Sequence, residues 1–118
     1  MELITDQNYN EKVMKTKNPF LLYFKSNNCP HCITVEAYLN RISKDKEKPC
    51  DFNIFIVQAE KSPKLLELYK IRAFPVTLFF KEDKKINQSI IGTETLEKFI
   101  EEIKNICCIK SKKFLGIF

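Results

Sequence analysis

The chain has almost no glycine and very little arginine. Of its 118 residues two are glycine, one is histidine and none is tryptophan. Turns must therefore rest on Asn, Asp, Pro and Lys. Lysines outnumber arginines 18 to 2. Arg is the better reader of bases and phosphates, so a net charge of +5 does not point to nucleic acid. Lys110, Lys112 and Lys113 stand in a closing segment, "KSKKFLGIF", that carries no acid. Without it 17 basic residues face 15 acidic ones, or +2. That balance reads as a solvated, lysine-rich surface.

No apolar run is long enough to cross a bilayer, which argues against an integral membrane protein. The opening "MELITDQNYN" has no basic segment leading into an apolar stretch, so the expected setting is the reducing cytoplasm. No repeat or low-complexity linker occurs. Hydrophobic content of 44% and charged content of 30% suit one globular domain with a modest core. The expected division is a domain over 1–108 and a basic, apolar tail over 109–118. The five cysteines are odd in number, which is not the mark of a secreted disulfide framework. They suggest one working pair, with the remaining thiols reduced.

The segment "TDQNYNEKVMKTK" (5–17) opens with capping residues and predicts a short helix. Compact apolar runs at 19–25, 51–58 and 75–80 predict buried strands, and 86–91 a weaker strand near an edge. Between the first two, Val35, Tyr38, Leu39 and Ile42 form one apolar helical stripe, followed by a charged loop over 41–50. Ser62 as N-cap and Pro63 at the first helical position predict a helix over 60–70. After Gly92, a last helix places Leu96, Phe99, Ile100, Ile103 and Cys107 on one face. This order implies a partly parallel sheet, covered by helices and closed by a hairpin over 76–91.

The stretch that carries chemistry is "SNNCPHC" at 26–32. Its two cysteines are open to three readings: a redox pair, half of a metal site, or two packed core thiols. Cys29 ends a strand-to-helix turn and Pro30 suits position N1. The stripe from Val35 extrapolates back to Cys32, so Cys32 faces inward while Cys29 sits at the helix tip. Dithiol exchange needs that asymmetry: one thiolate attacks a disulfide and its neighbour resolves the mixed disulfide. Helix-end amides, the macrodipole and a protonated His31 all favour an ionised Cys29. Side chains three apart on a helix stand about 5–6 Å apart at Cβ, and a disulfide needs about 3.5–4.5 Å, a small adjustment. The strand before, the helix after and the Pro-His insert favour the redox reading. Pro75, in "IRAFPVTLFF", heads an apolar strand, either as an ordinary trans residue or as a cis one.

With "CPHC" after an aromatic strand, "YKIRAFPVTLFF" some forty residues later and "IIGTETLEKFIEEI" near the end, the chain resembles the thioredoxin family over about residues 1–107. The resemblance implies an α/β thioredoxin fold, a central mixed β-sheet flanked by helices on both faces. It implies that Cys29 is the nucleophile and Cys32 the resolving thiol. It further implies that Pro30 and His31 tune the pair, and that Phe74 and a cis Pro75 dock an extended substrate. The implied activity is reduction of protein disulfides by a monomer that needs no bound cofactor, its electrons being carried by the cysteines. The implied partners are disulfide-containing client proteins and a flavin-containing thioredoxin reductase.

Three positions depart from the reducing members. Asn28 stands in place of Trp, Pro30-His31 in place of Gly-Pro, and Tyr23 in place of a buried acid. The insert resembles that of bacterial disulfide-forming oxidases, which leaves open an oxidase or isomerase of more oxidising poise. Two other readings stay open: a zinc module using Cys29, His31 and Cys32 with Cys107 or Cys108, and a binding domain without turnover. Cys50 reads as incidental and Cys107 as a packed thiol. The tail with Phe114, Leu115, Ile117 and Phe118 reads as a loose terminus.

Overall fold

The computed structural model describes residues 1–107. The expected tail, with Cys108, lies outside them. Five strands run β1 (Glu2–Ile4), β2 (Phe20–Lys25), β3 (Asn53–Gln58), β4 (Val76–Phe80) and β5 (Ile86–Ile91). The helices are α1 (Tyr9–Lys12), α2 (Pro30–Lys44), α3 (Pro63–Leu68) and α4 (Leu96–Ile106), and a 3₁₀ turn at Ala59–Lys61 precedes α3. The sheet order is β1-β3-β2-β4-β5. β3 is parallel to both β1 and β2, while β4 is antiparallel to β2 and β5.

β2 lies at the centre of the sheet, and its alternation separates the two cores. Leu21 and Tyr23 face α2 and α4, packing with Cys32, Val35, Leu39 and Phe99. Phe20, Leu22 and Phe24 face the opposite side, with Tyr9 and Val13 around α1 and Leu65 of α3. A strand buried on both faces needs a continuous apolar run, which "FLLYFK" supplies. The edge strand β5 buries only Ile90 and carries polar residues outward.

Four local expectations need correction. The first helix is one turn, not the span 5–17, because only Tyr9 and Val13 reach the core. The loop expected over 41–50 begins later: α2 continues to Lys44, since Ile42 is wholly buried and Arg41 and Lys44 suit a helix C-terminus. Ser62 occupies the N-cap position of α3, but its buried hydroxyl makes no capping bond. The cap comes instead from Asp6, whose carboxylate accepts from the Lys64 and Leu65 amides, each at 3.1 Å.

The fourth correction concerns the cysteines. Cys50, expected to be an incidental thiol, and Cys107, expected to be a packed one, are joined by a disulfide. α2 and α4 lie on the same sheet face, which brings the loop after α2 to the end of α4. On α4 itself Phe99, Ile100, Ile103 and Ile106 are buried, and Leu96 and Cys107 pack beside them. Glu102 is only 2% exposed; its charge is met by Lys98 Nζ at 2.9 Å and Asn105 Nδ2 at 3.1 Å.

Candidate active site

The carboxyl end of β2 leads into the site. Asn28 takes a left-handed conformation, φ 55°, which Asn tolerates better than most residues. That reversal presents Cys29 as the N-cap of α2, with Pro30 at the start of the helix proper. The Cys32 amide lies 3.2 Å from Cys29 Sγ and donates to it. A helix-end N–H is thus aimed at the sulfur where negative charge develops on reduction. Cys29 is half-buried, Pro30 and His31 are exposed, and Cys32 is 2% exposed. The two cysteines are disulfide-bonded, with Cα atoms 5.3 Å apart.

The register places Phe24 opposite Val76, so Pro75 stands across from the end of β2, at the same edge as Cys29. The Phe74–Pro75 peptide bond is cis. Phe74 and Cys29 both pack against the cluster that contains Cys32. Gly92 closes this corner, its amide donating to the Pro75 carbonyl at 2.8 Å. Its φ of +80° is the reason for glycine, because a Cβ there would meet nothing within 4 Å.

Beneath the pair, Tyr23 is wholly buried. Its hydroxyl donates to the Cys32 carbonyl (2.9 Å) and to Glu36 Oε2 (3.2 Å). Burial first, then the charge and hydrogen bond of Glu36, push the phenol well above the usual tyrosine range. Lys25 Nζ reaches the same carboxylate oxygen at 2.8 Å. Lys25, Cys29, Cys32 and Glu36 line one cleft. The sequence reading passed over Lys25 and Glu36. The signal available was spacing: Glu36 follows Cys32 by four residues, on the same helical face. Among the described residues no three His, Cys, Asp or Glu side chains converge as a metal-ligand set.

A half-buried sulfur capped by a helix-end amide and bonded to a buried partner, on a five-stranded mixed sheet, defines a thiol–disulfide oxidoreductase. Comparison with known proteins agrees. The family model for Thioredoxin matches residues 1–105. Over 102 residues the chain is 26% identical to a thioredoxin of Rickettsia bellii, covering 86% of this chain and 94% of the relative. Over 104 residues it is 30% identical to a thioredoxin of Buchnera aphidicola, covering 84% and 92%. The crystal structure of Malassezia sympodialis thioredoxin superposes with a TM-score of 0.77 at 17% identity, covering 91% of this chain and 90% of that one. The chain belongs to the thioredoxin family.

Proposed function

We propose that the protein is a thioredoxin that reduces disulfide bonds of client proteins, with Cys29 attacking and Cys32 resolving. The observation that carries this reading is the unequal setting of the two sulfurs. Cys29 is half-buried and receives the helix-end amide; Cys32 is sealed beneath it within bonding range. The Cys29 thiolate attacks one client sulfur, breaking the client disulfide and forming a mixed one. Cys32 then attacks Cys29, restoring the internal disulfide and releasing the second client thiol. Two electrons and two protons pass from the enzyme pair to the client. The cysteines carry the electrons, so no cofactor is required.

Phe74 packs against the cluster that contains Cys32 and its bond to Pro75 is cis, which supports reading the two as the dock for an extended client segment. A thioredoxin reductase would recharge the pair in the cytoplasm. We read residues 1–108 as the working domain, acting as a monomer, and 109–118 as an appended tail. No helix among the described residues is long and apolar enough to cross a membrane.

The exposed His31 supports a second reading in the same class, a net oxidase or isomerase, because a cation beside Cys29 stabilises the reduced form. Insulin reduction tests the activity: the wild-type protein should turn over, and Cys29→Ser should not. Equal rates for the two would remove the proposed chemistry. Equilibration with glutathione then sets direction, and a potential near that of protein disulfide isomerases would favour the oxidising reading.

A further inference from the structure

Release of a client needs Cys32 as a thiolate, and Cys32 is poorly placed to become one. It is 2% exposed and belongs to the apolar cluster under α2. Burial disfavours the charged form of a thiol. The Cys32 amide, one of the helix-end donors, is committed to the Cys29 sulfur. Tyr23, directly below, is a donor to the Cys32 carbonyl and keeps its own proton. The proton of Cys32 must go to another group.

Glu36 has the position for it. It stands one turn beyond Cys32 on α2, with Cβ atoms about 5–6 Å apart on one face. Its carboxylate is anchored from β2 by Lys25 Nζ at 2.8 Å and Tyr23 Oη at 3.2 Å. With about a quarter of its side chain exposed, it meets both the buried layer and water. The cleft it shares with Cys29 and Cys32 has a volume of about 580 Å³, enough for water. Among the described residues lining that cleft, Glu36 is the one acid and Lys25 the one cation. Of the nearby titratable groups, His31 is exposed on the turn above. Glu60 is occupied by the Gln58 side chain and the Asn27 amide.

We propose that Glu36 accepts the Cys32 proton in the resolving step, directly or through one water in the cleft. This rests on the reading in which Cys29 attacks and Cys32 resolves. As Cys32 Sγ attacks Cys29 Sγ, its proton passes to the Glu36 carboxylate. The Cys29–client S–S bond breaks, the Cys29–Cys32 bond forms, and the electron pair leaves on the client sulfur. That thiolate takes a proton back from Glu36 or from water. The enzyme pair is oxidised, the client sulfur is reduced, and Glu36 returns to its starting state. Lys25 and Tyr23 are positioning residues that hold the carboxylate over the turn.

The test follows the two steps separately with oxidised glutathione as the probe. The reduced protein is mixed with glutathione disulfide, quenched in acid at intervals, alkylated and digested with trypsin. The peptide Ser26–Arg41 carries Cys29 and Cys32 and no other cysteine, so its mass reports reduced, glutathione-linked and internally bonded forms. In Glu36→Gln the first step should keep its wild-type rate. Resolution should slow roughly 100-fold near neutral pH, the linked form should accumulate, and the gap should narrow as pH rises and hydroxide substitutes for the carboxylate. Glu36→Asp, which keeps a carboxylate on the same turn, should resolve faster than Glu36→Gln. Wild-type and Gln variants with the same resolution rate and pH profile would overturn the proposal, as would an Asp variant no faster than Gln. Failure of Cys32→Ser to trap the glutathione-linked form would instead overturn the underlying assignment of attacking and resolving thiols.

Discussion

Cys50 and Cys107 are 57 residues apart in sequence, yet their Cα atoms lie 5.8 Å apart and a disulfide joins them. The link ties the loop after α2 to the end of α4 and closes a long segment that includes three of the five strands. A crosslink of this span restricts the unfolded chain, an effect of about 2–5 kcal/mol on stability. Cys107→Ser should lower the urea midpoint accordingly and abolish the linked peptide seen by mass spectrometry. Cys108→Ser should leave the link intact. A Cys107→Ser protein as stable as wild type would show that the crosslink contributes nothing.

A second tertiary contact replaces a local one at α3. Asp6 accepts from two amides in the first turn of that helix, where the hydroxyl of Ser62 does not. Asp6→Ala should destabilise the protein by about 0.5–2 kcal/mol, the range for loss of an N-cap. Ser62→Ala should have a smaller effect or a favourable one, because the Ser62 hydroxyl is buried without a partner among the described residues. Denaturant titration of the two variants checks the order; the reverse order would return the cap to Ser62.

Alkaline pH should unfold the protein through its buried phenols. Tyr23 is raised by burial, then by the charge and hydrogen bond of Glu36; Tyr69 is raised by burial, then by its bond to Tyr9. Both folded values lie above the unfolded value of about 10. Their contribution to stability is therefore complete below pH 10 and falls as pH rises beyond it, because only the unfolded chain releases these protons. Absorbance at phenolate wavelengths, compared with Tyr23→Phe and Tyr69→Phe, should show Tyr23 and Tyr69 ionising together with loss of structure. Ionisation of Tyr23 or Tyr69 near pH 10 in the folded protein would contradict this.

His31 stands exposed between the two cysteines. Its protonated form favours the Cys29 thiolate and so the reduced pair. His31→Pro should lower the reduction potential, by about 30 mV for each 1.4 kcal/mol of lost thiolate stabilisation. An unchanged potential, measured against glutathione, would take His31 out of the tuning.

The local chemistry of the site was legible in the sequence. Cys29 at a strand–helix junction, Pro30 at the first helical turn and the stripe running from Val35 to Ile42 are short-range patterns. They determine which sulfur sits at the helix tip and which faces inward. The apolar runs likewise marked the buried strands, and Gly92 the end of β5. Only the tertiary structure decided the rest. Cys50 meets Cys107, Asp6 caps α3, and Lys25 and Tyr23 hold Glu36, because sheet order and register bring those segments side by side. Hydrophobic periodicity reports which face of an element is buried. It does not report which other element covers that face, and each of these contacts lies between elements.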